Sequence, residues 1–74
     1  MLLIAEIRVA DQAGLAGSLI SGTEQDGQAR VLALQANGMA ALDWSPQRGY
    51  RLAADDRLIV LATRRGLGRF LSVH

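Results

Sequence analysis

The first nine residues alternate. Leu3, Ala5, Ile7 and Val9 interleave with Leu2, Ile4, Glu6 and Arg8, and this period of two predicts a strand with one well-buried face. In the stretch DQAGLAGSLISG that follows, Leu15, Ala16, Leu19 and Ile20 would share one helical face, with Asp11 as a cap and Gly22 as a stop. Gly14 and Gly17 weaken that helix, so a short helix or an irregular turn is expected. Residues 23–28, TEQDGQ, are polar with a glycine and read as a loop.

Two apolar segments then flank Asn37-Gly38, the preferred pair for a tight hairpin turn. Strands near 29–36 and 39–45 are therefore expected to pair antiparallel. The first holds the unbroken run Val31, Leu32, Ala33, Leu34, which implies burial on both faces. In the second, Ala40, Leu42 and Trp44 alternate with Met39, Ala41 and Asp43. Trp44 is thereby expected in the core rather than as a ligand platform. Residues 45–56 form a connection that Pro46 and Gly49 turn and that Tyr50 and Leu52 pin to the core. RLIVLAT, residues 57–63, is the most hydrophobic segment and should be a central strand covered on both faces. Leu67, Phe70 and Leu71 then fall at helical spacing on a short final helix. The order β-α-β-β-β-α predicts a two-layer α+β domain, with short helices on a mixed four-stranded sheet.

At 74 residues the chain is at most one small domain, of marginal stability by itself. Half of it is apolar, which is generous for a monomer of this size and hints at surface meant for a partner. Strands apolar on both faces need two covers, and two short helices supply one; a second copy of the chain is the natural other. With no cysteine, no disulfide framework or thiolate chemistry is possible. The net charge of +1 gives no electrostatic case for nucleic acid. The N-terminal apolar stretch is short and broken by Glu6 and Arg8, unlike a signal peptide or a membrane span.

The segment DDRLIVLATRRGLGRF places a strand, two close glycines and arginines in the order of a phosphate-binding loop. A dinucleotide loop would need a third glycine where Leu71 stands, a second strand, and an acidic residue about 20 positions on. Three residues follow Leu71, and a chain without lysine cannot form a Walker A loop. Arg64, Arg65 and Arg69 are expected to form a solvated rim. His74 is the lone histidine and the last residue, so Ser18, Ser21, Ser45 and Ser72 lack a base to activate them. Asp55-Asp56 is expected to shape a turn. Glu24 and Asp26 share a loop without metal-ligand spacing. No catalytic or metal residue is assigned, and no enzyme activity is expected.

The order of these segments resembles the TrkA C-terminal domain family, also called RCK C-terminal. Its early small-Gly-x-x-Leu step reads here Ala16-Gly17-Ser18-Leu19; its strand-turn segment is residues 31–38. Its last-strand motif is Leu52-Ala53-Ala54-Asp55-Asp56-Arg57-Leu58-Ile59-Val60, with Asp55 where the family usually has glycine. The resemblance covers residues 3–72. It implies a homodimeric, ligand-sensing regulatory domain of a cytoplasmic potassium or cation transport subunit or channel, held at the inner face of the membrane. A nucleotide-binding RCK domain upstream would fit, and the chain is expected to be part of a longer protein. The ligand would be cyclic di-AMP or a divalent cation, at the pairing surface. That cleft maps onto Leu34, Gln35, Ala36 and Asn37, with Arg30 as a phosphate partner. A ligand-free structural dimerisation module of a membrane transporter or other multidomain protein remains the alternative.

Overall fold

The structure, a computed structural model, describes residues 1–12, 14–24, 27–36 and 39–72, without the side chains of Arg69 and Ser72. Three strands form one antiparallel sheet: β1 (Leu2–Arg8), β2 (Ala29–Gln35) and β3 (Arg57–Thr63), in the order β1-β3-β2. Leu58 of β3 faces Ile7 on one side and Leu34 on the other. The alternation read in the sequence sets the faces. Ile7, Leu58, Val60, Ala62, Ala29, Val31 and Leu34 point into the core with Val9, Leu15, Ile20, Leu52 and Phe70. Helices α1 (Ile20–Thr23) and α2 (Arg64–Ser72) close this inner side.

The second layer is thus present, and the α+β class stands. Among the described residues the expected fourth strand is not seen, and both strand pairings are antiparallel, so the sheet is not mixed. Across residues 39–45 a single bridge remains, in which Leu34 and Asp43 exchange backbone bonds of 2.9 and 2.7 Å. The reason is local. The Asp43 carboxylate accepts the Ser45 N–H at 2.9 Å, and this turn, followed by Pro46, pulls the chain away from an extended ladder. Alanines at 40 and 41 bring little apolar area to hold it there. Asn37-Gly38 lies outside the described residues; beside it, the Met39 N–H donates to the Ala36 carbonyl at 3.0 Å.

Of the two expectations for this segment, the irregular turn forms through residues 14–17, and the short helix follows at Ile20–Thr23. Gly14 and Gly17 adopt positive φ of 80° and 91°, which breaks any helix through them. Leu15 and Ile20 are still fully buried, delivered by turns rather than by one helical face. This segment is stitched to the later connection: Gly17 N–H donates to Leu52 O at 2.7 Å, and Ile20 N–H to Tyr50 O at 3.0 Å. Tyr50 packs on the core and Leu52 is 2% exposed, so this connection is pinned as the sequence suggested.

The final helix begins without a loop. Thr63 Oγ1 accepts the Gly66 N–H at 3.0 Å and donates to Gln28 Oε1 at 2.9 Å, capping α2 directly from the end of β3. Phe70 is buried and Leu67 packs on the core, whereas Leu71 is partly exposed.

The outer sheet face carries Leu2, Ile4, Glu6 and Arg8 opposite Thr63, Leu61, Ile59 and Arg57. Leu2 is 63% and Ile4 70% exposed. Among the described residues no helix covers this face.

Candidate functional site

The polar centre of the domain lies on the edge of β2. A register shift between Val31 and Ala33 bulges the strand there. The outward backbone of Val31 is taken up by two side chains rather than by a strand. Its N–H donates to Glu24 Oε2 at 2.8 Å, and its carbonyl accepts from Arg48 Nη2 at 3.1 Å. The same two side chains form an ion pair, Arg48 Nε to Glu24 Oε1 at 3.0 Å. Arg48 Nη1 also donates to the Pro46 carbonyl at 2.8 Å. Both Glu24 oxygens are thus engaged within the fold; Asp26 lies outside the described residues. Replacing Glu24 with alanine strips the Val31 N–H and the Arg48 charge of a partner together. A loss of about 1–3 kcal/mol is expected, read from urea unfolding.

This clamp forms one wall of a groove of about 380 Å³, lined by Arg30, Val31, Leu32, Trp44, Ser45, Pro46 and Arg48. The Arg30 side chain stands exposed on β2 with no hydrogen bond or ion pair to the described residues. Trp44, expected in the core, is 62% exposed: the Asp43–Ser45 turn rotates it out of any strand alternation and onto the groove. The signal for this lay in Asp43-Trp44-Ser45-Pro46, a turn sequence rather than the end of a strand. Arg48 carried no local signal, because its partners Val31 and Glu24 lie far back along the chain.

The remaining expected residues separate from Arg30. Leu34 and Ala36 line a second depression, of about 350 Å³, with Met39, Ala41, Asp43 and Tyr50. Leu34 is buried. The Gln35 amide donates to the carbonyls of Met39 and Ala40 at 3.2 and 3.5 Å, holding the loop after β2. Asn37 lies outside the described residues.

Next to the second depression sits Asp56, 2% exposed. Its Oδ2 accepts the Tyr50 hydroxyl at 2.7 Å and the Ala53 N–H at 2.9 Å, and its own N–H donates to the Ala53 carbonyl at 3.0 Å. The aspartate closes the turn that leads into β3, as the sequence suggested for this pair; Asp55 is exposed. The Tyr50 pKa is raised by its hydrogen bond to Asp56, then by burial and by the charge of that carboxylate.

Solved structures share this architecture. The RCK C domain of the potassium transport protein KtrA, solved in complex with cyclic di-AMP, superposes with a TM-score of 0.75 at 21% identity. The match covers 99% of this chain and 84% of that one. The fold is that of the RCK C domain. The RCK domain of GsuK matches at TM-score 0.66 and 22% identity, over 93% of this chain. The GsuK channel bound to NAD gives 0.61 at 22% identity over the same share. The chain spans 15% of that RCK domain chain and 12% of that channel chain. No family model matches the sequence, and no curated protein matches it.

Proposed function

We propose that the chain is a ligand-sensing regulatory domain of a potassium or cation transport system, acting as a homodimer, and that its ligand is a nucleotide such as cyclic di-AMP. The observation that carries this reading is the groove on the β2 edge, where an arginine with no bond to the described residues and an exposed tryptophan share one concave surface. An arginine fork suits a phosphate, and an exposed indole offers a stacking face for a base. The RCK C-domain fold supports the same reading, since KtrA was solved with a cyclic dinucleotide. In this reading the domain performs no chemistry. The nucleotide binds one dimer geometry better than another, and a linked transport subunit responds to the shifted population. The domain would work on the cytoplasmic side, attached to the membrane through a parent protein or partner; no helix among its described residues is long and apolar enough to cross a membrane.

Calorimetric titration with cyclic di-AMP tests this, with NAD, ATP, Ca²⁺ and Mg²⁺ alongside. One base–aromatic stack contributes about 1–3 kcal/mol, so Trp44→Ala is expected to raise Kd by roughly 5- to 150-fold. Its melting temperature should hold, because the indole is largely exposed. Arg30→Ala should weaken binding by roughly tenfold or more. Binding that both variants leave untouched would remove the groove from the site. Silence with every ligand would favour a ligand-free dimerisation module.

A further inference from the structure

The segment after β2 contributes to two depressions of opposite charge. Trp44 and Ser45 line the groove with Arg30 and Arg48, whereas Ala41 and Asp43 line the second depression, of about 350 Å³. Among the described residues no basic side chain lines this second one. Much of its wall is apolar, formed by Leu34, Ala36, Met39 and Ala41. Its polar groups suit a positive charge. The Asp43 carboxylate is exposed; it accepts the Ser45 N–H at 2.9 Å, and no cationic side chain among the described residues pairs with it. Tyr50 brings a half-buried phenol whose hydroxyl donates to Asp56 at 2.7 Å. That bond draws the proton toward the carboxylate and leaves the ring richer in electrons. The Tyr50 pKa, raised first by this bond and then by burial and the Asp56 charge, reflects the same surroundings. Gln47, also in the lining and exposed, offers an amide oxygen.

We propose that this depression binds a small organic cation, with its ammonium head against Asp43 and the Tyr50 ring and a short apolar body on Leu34, Ala36, Met39 and Ala41. A cation beside a carboxylate and an electron-rich ring gains from both. The apolar wall selects against a bare ion, which gains nothing from it. A calcium ion takes six to eight oxygen ligands, and one carboxylate lines this depression. An anion is unsuited for the opposite reason. Asp43 stands in the wall and Asp56 lies behind the Tyr50 hydroxyl, so a phosphate placed there meets like charge. Leu34 and Ala36 thus share a wall with a carboxylate rather than with Arg30. The site is distinct from the nucleotide groove, and its occupancy does not rest on that reading.

An NMR titration of the full, isotope-labelled chain with n-butylammonium chloride tests it. Saturable shifts are expected at the amides of Leu34, Ala41, Asp43 and Tyr50, with a Kd on the order of millimolar for so small a probe. n-Butanol carries the same body without the charge, and sodium or magnesium chloride the charge without the body; each should bind roughly tenfold more weakly or worse. Asp43→Asn keeps an acceptor for the Ser45 N–H and removes the charge, and it should raise the Kd by roughly tenfold or more. Ala41→Lys, at an exposed position, sets a tethered ammonium at the site and should exclude the probe. Trp44→Ala should leave the probe's Kd unchanged. Shifts that do not saturate, n-butanol or a metal salt binding as well as the ammonium, or an Asp43→Asn variant that matches the parent would each overturn the proposal. Butylammonium binding by a chain that ignores every nucleotide, or the reverse, tells the failure of one site from that of the other.

Discussion

Gly66→Ala is expected to be strongly destabilising. Gly66 is buried in the first turn of α2, where the helix passes directly over the backbone of Gln28. A Cβ there would fall inside contact distance of the Gln28 carbonyl carbon and oxygen. Neither can retreat cheaply, because that carbonyl accepts the Thr63 N–H at 3.0 Å and the Gln28 side chain holds the Thr63 cap. Moving the helix outward instead would withdraw Phe70, 2% exposed, from the core. Overpacking against fixed backbone costs about 1–3 kcal/mol and partial exposure of Phe70 adds to it; a domain this small has roughly 5 kcal/mol to lose. Urea unfolding should therefore show a chain near or past its threshold. Gly68 supplies the control. A Cβ there meets nothing, and Gly68→Ala should stabilise by about 0.5–1 kcal/mol through helix propensity alone. Equal effects at the two glycines would show that the close approach to Gln28 is not what constrains the helix.

The contrast shows what the sequence could reveal. Both glycines read alike as loosening a helix start, because nothing local distinguishes a glycine under a neighbouring backbone from one facing solvent. Elements whose burial follows a regular period were legible: β1 and β3 from alternation and a hydrophobic run, and α2 from the spacing of Leu67 and Phe70. The strand expected at 39–45 is not seen because apolar alternation there competes with an Asp-x-Ser-Pro turn, and the turn prevails where Ala40 and Ala41 supply little apolar area. Trp44 moved with it from core to groove. Arg30 was legible as a phosphate partner by residue type, but its company was not. The groove joins residue 30 to residues 44–48, and its wall depends on Glu24 and Arg48 meeting over the bulge at Val31. Such contacts between distant positions leave no trace in local periodicity.

Removing the Asp56 carboxylate is expected to loosen the opposite end of β3. Asp56 is 2% exposed, and Asp56→Ala leaves the half-buried Tyr50 hydroxyl and the Ala53 N–H without their acceptor. Two stranded donors and the lost turn closure predict a loss of about 2–4 kcal/mol. Tyr50→Phe removes one of these bonds together with its donor, and about 1 kcal/mol is expected. The pair also predicts a pH dependence. The hydroxyl can donate only while protonated, and its folded-state pKa is raised, first by the bond to Asp56. The stabilisation is therefore complete below the ordinary tyrosine range and disappears as pH rises through the raised folded-state value. The chain contains one tyrosine, no cysteine and no lysine, so between about pH 9 and pH 12 no other side chain titrates. Absorbance at the phenolate band should report Tyr50 alone, titrating later in the folded chain than in urea. The urea midpoint should fall over the same interval in the parent chain and stay level in Tyr50→Phe. A parallel fall in both would mean that alkaline unfolding has another origin and that the Tyr50–Asp56 bond does not hold the turn.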